Sequence, residues 1–343
     1  IPAIRDRDTG IWQKVYLSAT GDVAVKDPLV TTDLPLPETS SADVTVQATV
    51  QNLSGVAARG VLKGTIENIS FEREVELAPG ASQIIKFDYR DASGLHMVHP
   101  RLWWPNGYGP QNLYKLHLSF VEKKDRISDA KDVTFGVRKI TYELPGSYTL
   151  AISVNGVPVF IRGGDWGLDE AMKRIPRARL EAEIRMHALA NMNTIRNWVG
   201  QSTDEDFYEL CDKYGILLWD EFFQPNPSDG PNPTDIPTYI ANVRDKILRY
   251  RNHPSIAVWC ARNEGYPPPE IDQQLRKLMA ELEPTRLYQP SSTAGHGVIS
   301  HGPYHWRTPR EFYQQDAAFK TETGSVSVPT IESIHGMMPK KDW

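Results

Sequence analysis

The chain has 343 residues, 40% of them apolar and 24% charged, with nine Trp and fourteen Tyr. A net charge of −5 without any block of Lys or Arg argues against nucleic acid and against an anionic membrane as partner. No run of about 18 apolar residues occurs, and the length points to at least two domains. Gly10 to Leu17 reads as one strand left over from a preceding domain, so residues 1–21 are expected to be a remnant. Between 22 and 142, apolar residues recur with the period of two of half-buried antiparallel strands: Val44, Val46, Ala48 and Val50, then Tyr114, Leu116, Leu118 and Phe120. Turn signals such as Ala78-Pro79-Gly80 separate these runs, which predicts a β-sandwich of immunoglobulin type without a disulfide clamp.

From 143 to 343 the texture becomes strand, loop, helix. Strands are expected over 157–162, 194–198, 216–219, 256–260, 287–292, 298–301 and 318–322. Leu180, Ile184 and Ala188, then Phe207, Leu210, Cys211 and Tyr214, then Ile271, Leu275, Leu278 and Leu282, fall at helical spacing and are read as core stripes. The fourth strand is informative: Ile256 to Cys260 is apolar enough to be covered on both faces, and it runs into Asn263-Glu264. Polar residues at successive strand ends indicate a (β/α)8-type TIM barrel with chemistry at its carboxyl rim, truncated after strand seven. Cys211 and Cys260 lie in apolar settings without CxxC spacing and are expected to be buried free thiols. No His/Asp cluster has metal-ligand spacing, so neither metal nor cofactor is expected.

Several segments carry a family resemblance: Gly10-Ile11-Trp12, Leu102-Trp103-Trp104-Pro105-Asn106-Gly107-Tyr108-Gly109, Phe135-Gly136-Val137-Arg138, and Asn252-His253-Pro254-Ser255 through Asn263-Glu264. They resemble glycoside hydrolase family 2, which implies a sugar-binding jelly roll ahead of the sandwich, of which only the remnant 1–21 is present, and a β-linked glycoside as substrate. The resemblance makes Glu264 the general acid/base and gives Asn263 the sugar's 2-hydroxyl. The nucleophile belongs on strand seven, where Lys320-Thr321-Glu322-Thr323-Gly324 stands in place of the Ser-Glu-Phe-Gly of mannosidase-like members; this makes Glu322 the nucleophile, although Thr321 and Thr323 depart from the pattern.

Retaining glycoside cleavage needs two carboxyls ~5–5.5 Å apart, one attacking the anomeric carbon and one protonating the departing oxygen. Strands four and seven face each other across a barrel mouth, so Glu264 and Glu322 can meet. Arg196 is the expected donor that keeps Glu322 ionised, with a salt bridge closing the barrel as the plain alternative. Trp166, Trp198, Tyr304 and Trp306 are candidate walls for a pyranose ring, each equally readable as packing. Asp165, Asp220 and Glu221 are candidate hydroxyl contacts, the latter two also readable as partners of Arg196. His301 and His305 read as hydrogen-bonded rim residues, and Trp103 and Trp104 as the seam between sandwich and barrel.

Exo-β-glucosaminidases of the family share the Trp-Trp-Pro-Asn-Gly-Tyr-Gly segment but carry Asp after Ser at the acid/base position. Asn263-Glu264 followed by Gly265-Tyr266-Pro267-Pro268 is more similar to the β-mannosidase branch. The expectation is a retaining, exo-acting β-mannosidase. The alternatives are an inactive structural or carbohydrate-binding fragment of such an enzyme, an endo-β-mannosidase, or a member acting on a glucosaminide, galactoside or glucuronide.

Overall fold

The computed structural model describes residues 10–342 other than 12, 144, 168–173, 301–303, 305–307, 309, 312–313, 315–318 and 324–328. Eight antiparallel strands form the sandwich: β1 (Val23–Asp33), β2 (Ser41–Asn52), β3 (Ala58–Ile66), β4 (Ile69–Leu77), β5 (Ser82–Phe87), β6 (His96–Val98), β7 (Tyr114–Val121) and β8 (Ile127–Phe135). One sheet runs β1-β2-β5 with β6 also on β2, the other β4-β3-β7-β8. Alternation decides which face is inward. On β2, Ala42, Val44, Val46, Ala48 and Val50 are all buried between the sheets, where they meet Leu62, Ile66, Phe120 and Phe135. Each fully buried aliphatic or aromatic side chain of this kind contributes about 1.5–3 kcal/mol. Gly64 is required by close approach, because a Cβ there would lie 2.0 Å from the Phe71 ring of the paired strand.

The strand expected at Gly10 to Leu17 does not form. The described residues between 10 and 20 are irregular, and Ile11, Val15, Tyr16 and Leu17 are exposed. A strand needs a ladder partner, and no described sheet edge pairs with this segment. It lies instead against the barrel through Gln13, which donates to Thr203 Oγ1 at 2.6 Å, and Lys14, 3.2 Å from Asp206.

After the sandwich, β9 (Ile140–Thr141), β10 (Ser153–Val154) and β11 (Val157–Pro158) form a small antiparallel sheet. Ile140, Ile152, Val154 and Val159 pack with Trp103 of the sandwich and Leu217, Trp219 and Val258 of the barrel. This overturns the first expected strand. The apolar run 157–162 supplies β11 and barrel-facing packing rather than a stave, and the stave begins at Gly163.

Five parallel strands then run in order: β12 (Gly163–Trp166), β13 (Thr194–Asn197), β14 (Leu217–Gln224), β15 (Ile256–Arg262) and β16 (Leu287–Gln289). A parallel pair, β17 (Val298–Ser300) and β18 (Phe319–Lys320), forms a separate sheet. Outside them lie α1 (Arg177–Leu189), α2 (Glu205–Tyr214), α3 (Ile236–Tyr250) and α4 (Pro269–Leu282), with α5 (Ile331–Met337) near the end of the chain. Helix α2 starts on an Asp204 cap that accepts the Asp206 N–H at 3.0 Å and stops at Gly215 in the left-handed region. Helix α3 was not foreseen; its stripe is Tyr239, Val243, Ile247 and Tyr250. Strand three also runs further than expected, to Gln224, which places Asp220 and Glu221 inside the strand. Cys211 and Cys260 are buried free thiols.

The Asn252-His253-Pro254-Ser255 segment ties the two halves together. The Asn252 amide accepts from Val30 N at 2.9 Å and donates to Pro28 O at 2.8 Å, copying a backbone bridge to β1. Arg138 donates to the carbonyls of Pro254 (2.8 Å) and Ile256 (3.0 Å), and Trp103 Nε1 donates to Asp212 O at 2.9 Å. Trp103 is fully buried in this seam.

Candidate active site

Barrel strands send alternate side chains inward and outward. On β13, Ile195 packs outward against the helices, so Arg196 points into the rim. Arg196 is 4% exposed and touches four side chains: Nε donates to Glu221 Oε1 at 2.7 Å, Nη1 to Glu322 Oε1 at 2.5 Å, Nη2 to Asn263 Oδ1 at 2.6 Å, and Nη1 lies 3.4 Å from Asp165 Oδ1. One guanidinium thus joins the ends of β12, β13, β14 and β15 to the segment after β18. Burial works against its charge, but the charges of Glu221 and Asp165 and the hydrogen bonds to Glu221 and Glu322 prevail and hold its pKa above the usual arginine value. Asp165 is the least enclosed of these acids. Burial, with Glu322 and Glu221 nearby, pushes its pKa up to about 6 against the pull of Arg196.

Glu322 has a second partner, Tyr304, whose hydroxyl donates to Oε2 at 2.7 Å. Burial, this hydrogen bond and the charges of Glu322 and then Glu264 raise the phenol's pKa. Tyr304 therefore lies within electrostatic reach of both glutamates, and its hydroxyl serves Glu322. Glu264 follows β15 in a left-handed conformation, φ 44°, which a residue with a side chain adopts only when its surroundings impose it. Its N–H donates to Ser292 Oγ at 2.9 Å, and its Oε2 accepts from the Asn226 amide. Asn263 Oδ1 accepts from both Arg196 and Ser292 Oγ, the latter at 3.3 Å, so its Nδ2 is the donor left to the side chain.

Asp220 and Glu221 are fully buried and serve the protein, not the cleft. Glu221 holds Arg196 and accepts the Val199 N–H at 2.8 Å, fixing the turn that carries Trp198. Asp220 accepts from Asn197 (2.8 Å), Tyr208 (2.9 Å) and Lys246 (2.7 Å). Lys246, on α3, is buried beside it; burial pushes its pKa down against the Asp220 charge.

Trp166 is a correction. It is 6% exposed, its Nε1 donates to Ser202 Oγ at 2.9 Å, and its ring packs on Phe207 and His187, so it fills the helix layer and offers no face to a sugar. Trp198 is half-buried at the rim, Asp165 is partly open, and Trp306, His301 and His305 lie outside the described residues. Lys246, Asn226 and Ser292 were missed. Lys246 had a signal: it interrupts the apolar stripe of α3 between Val243 and Ile247, where a charge requires a buried partner. Among the described residues, no group of three His, Cys, Asp or Glu is placed to hold a metal ion.

Residues 23–138 match the family model for glycosyl hydrolases family 2, and residues 150–301 match that family's TIM barrel domain. The chain is 31% identical to a mannosylglycoprotein endo-β-mannosidase of Lilium longiflorum, over 99% of this chain and 41% of that protein. It is also 31% identical to an exo-β-D-glucosaminidase of Streptomyces avermitilis, over 97% of this chain and 39% of the relative. The crystal structure of an exo-chitosanase from Amycolatopsis orientalis superposes with a TM-score of 0.83 at 25% identity, covering 94% of this chain and 40% of that one. The chain thus spans about two fifths of the length of these relatives.

Proposed function

The chain belongs to glycosyl hydrolase family 2, and from that premise we propose that it carries the catalytic carboxylates of a retaining, exo-acting glycosidase that cleaves β-mannosides. We read residues 22–142 as an immunoglobulin-like sandwich and 143–343 as a domain of (β/α)8-barrel type. The single observation that carries the chemistry is the Arg196 bridge: it holds Glu322 from one side and Asn263, the neighbour of Glu264, from the other. One buried cation thereby holds the Glu322 carboxyl directly and fixes the residue next to Glu264 at the carboxyl rim, where barrel enzymes do their chemistry.

In the first step, Glu322 attacks the anomeric carbon as the glycosidic C–O bond breaks. The departing oxygen keeps the electron pair and takes the proton of Glu264, leaving a glycosyl ester on Glu322. In the second, Glu264 removes a proton from water, the water oxygen attacks the same carbon, and the ester bond breaks to return the Glu322 carboxylate. Two inversions retain the β configuration. Arg196 and Tyr304, both donating to Glu322, favour its ionised form, as a nucleophile requires. Asn263 Nδ2 is assigned to the sugar's 2-hydroxyl and Asp165 to another hydroxyl, with Trp198 beside the ring.

The mannoside assignment rests on Asn263-Glu264-Gly265-Tyr266 and on the endo-β-mannosidase relative. A glucosaminide is the second reading, favoured by the equal identity of the exo-β-D-glucosaminidase. A panel of aryl β-glycosides separates them: the mannoside is expected to be turned over fastest, and faster turnover of the glucosaminide reverses the order. For the chemistry, Glu322→Ala and Glu264→Ala are each expected to lower kcat by at least about 10²–10⁴-fold. Azide should restore Glu322→Ala with an inverted glycosyl azide and Glu264→Ala with a retained one. The opposite stereochemistry exchanges the two roles, and full activity in both variants removes them.

A further inference from the structure

We propose that Asn226 is a positioning residue that fixes which oxygen of Glu264 carries the transferable proton; this rests on the reading of Glu264 as acid/base given above. The observation is the orientation of the Asn226 amide. Its Oδ1 accepts from Ser228 N at 2.9 Å and from Ser228 Oγ at 2.8 Å. A backbone N–H is an obligate donor, so the atom facing Ser228 must be the oxygen, and the amide cannot be flipped without facing a donor with a donor. The NH2 end is therefore directed at Glu264 Oε2, to which Nδ2 donates.

The loop that carries Asn226 is itself pinned to the strand that carries Glu264. Arg262, two residues before Glu264 and 3% exposed, donates through Nε to Pro225 O at 3.0 Å and through Nη1 to Asn232 Oδ1 at 2.8 Å. Pro227 rests against Gly265, where a Cβ would come within 3.3 Å of its ring. Glu264 and its donor are thus clamped from both flanks. The carbonyl oxygen of a neutral carboxyl is a much better acceptor than its hydroxyl oxygen, so the Asn226 donor favours Oε2 as acceptor and the proton on Oε1. Once the proton has left, the same donor stabilises the carboxylate that must act as base on water.

The expected signature depends on the leaving group, because a good leaving group departs without a proton. Asn226→Ala should lower kcat/KM by about 10–100-fold on methoxyphenyl β-mannoside, part of the 10²–10⁴ that a positioned acid supplies, while dinitrophenyl β-mannoside stays within about 3-fold of the native protein. Asn226→Asp keeps the oxygen that Ser228 needs and replaces the donor with a second carboxylate. It should show the same selectivity and move the alkaline limb of the pH profile to higher pH. Glu264→Ala, run on both substrates, is the reference. If it is leaving-group selective and the Asn226 variants are not, losing equally on both substrates or on neither, the positioning role is wrong. If Glu264→Ala is itself unselective, the acid/base reading fails instead. Should Asn226→Ala fail to fold by circular dichroism, Asn226→Asp decides the matter.

Discussion

Strand β2 of the sandwich and strand β15 of the barrel are both stripped of water, but by different rules. On β2 only every second residue is buried, and from 42 to 50 those residues are Ala or Val, with Asn52 closing the strand; on β15 every residue from Ile256 to Arg262 is buried, including a charged one. The contrast extends to the domains. The sandwich core is hydrocarbon, from Leu62 and Phe87 to Phe120 and Phe135. The barrel encloses Arg196, Asp220, Glu221 and Lys246. Apolar area stabilises wherever it is buried, whereas a buried ion offsets its desolvation only with all partners in place. Stability and chemistry should therefore separate in the sandwich and be inseparable at the rim.

The hardest test of that separation is Arg196→Met. It leaves Glu221 buried without its cation and loosens Glu322 and Asn263 together. Breaking a buried pair from one side costs about 3–5 kcal/mol, and losing a preorganised charge contact at the reacting groups costs about 10²–10³ in kcat. Urea unfolding and steady-state kinetics read the two losses. A variant that loses activity but no stability would show that the rim charges are solvated more than their burial implies.

Phe120→Ala probes the other side. The ring is fully buried between the sheets and lies over Gly60, where a Cβ would meet it at 2.5 Å. Deleting it should cost about 3–5 kcal/mol and leave kcat/KM unchanged wherever the protein is still folded. A parallel fall in kcat/KM would mean that the sandwich sets the rim geometry through the seam.

The same physics governs what could be read from sequence. Period-two alternation is a local pattern, so Val44 to Val50 and Tyr114 to Phe120 announce their strands. The run into Asn263-Glu264 is equally local, and the Arg196 assignment followed from its place at a strand end. Misreadings arose where one composition has two physical uses. Val157 to Arg162 looks like a stave, but only Val159 and Ile161 of it pack against the barrel while Val157 and Phe160 are exposed, and Trp166 sits at a strand end yet turns into the helix layer. Lys246 and Asn226 act on residues 26 and 38 positions away, Asp220 and Glu264, and no short window contains both partners.

The smallest expected effect lies where the two regions meet. His253 Nδ1 is 2.6 Å from Asp212 Oδ2, while Asp212 Oδ1 accepts the Ser255 N–H at 3.0 Å and its carbonyl accepts Trp103 Nε1 from the sandwich. Glu205 lies 4.0 Å from Nε2, and the rings of Tyr208 and Tyr250 flank the imidazole. Burial opposes the imidazolium charge, but the Asp212 charge and hydrogen bond, with Glu205 and Glu209, overcome it and raise the folded pKa above 6.5. A group whose folded pKa is raised contributes its full stability below the unfolded value and loses it as pH climbs through the folded one. The native protein should therefore exceed His253→Gln in stability most below the unfolded value of about 6.5, with the difference shrinking as pH rises above it. Urea midpoints on both sides of that value measure it. A difference that grew with pH would mean that the seam holds a neutral imidazole.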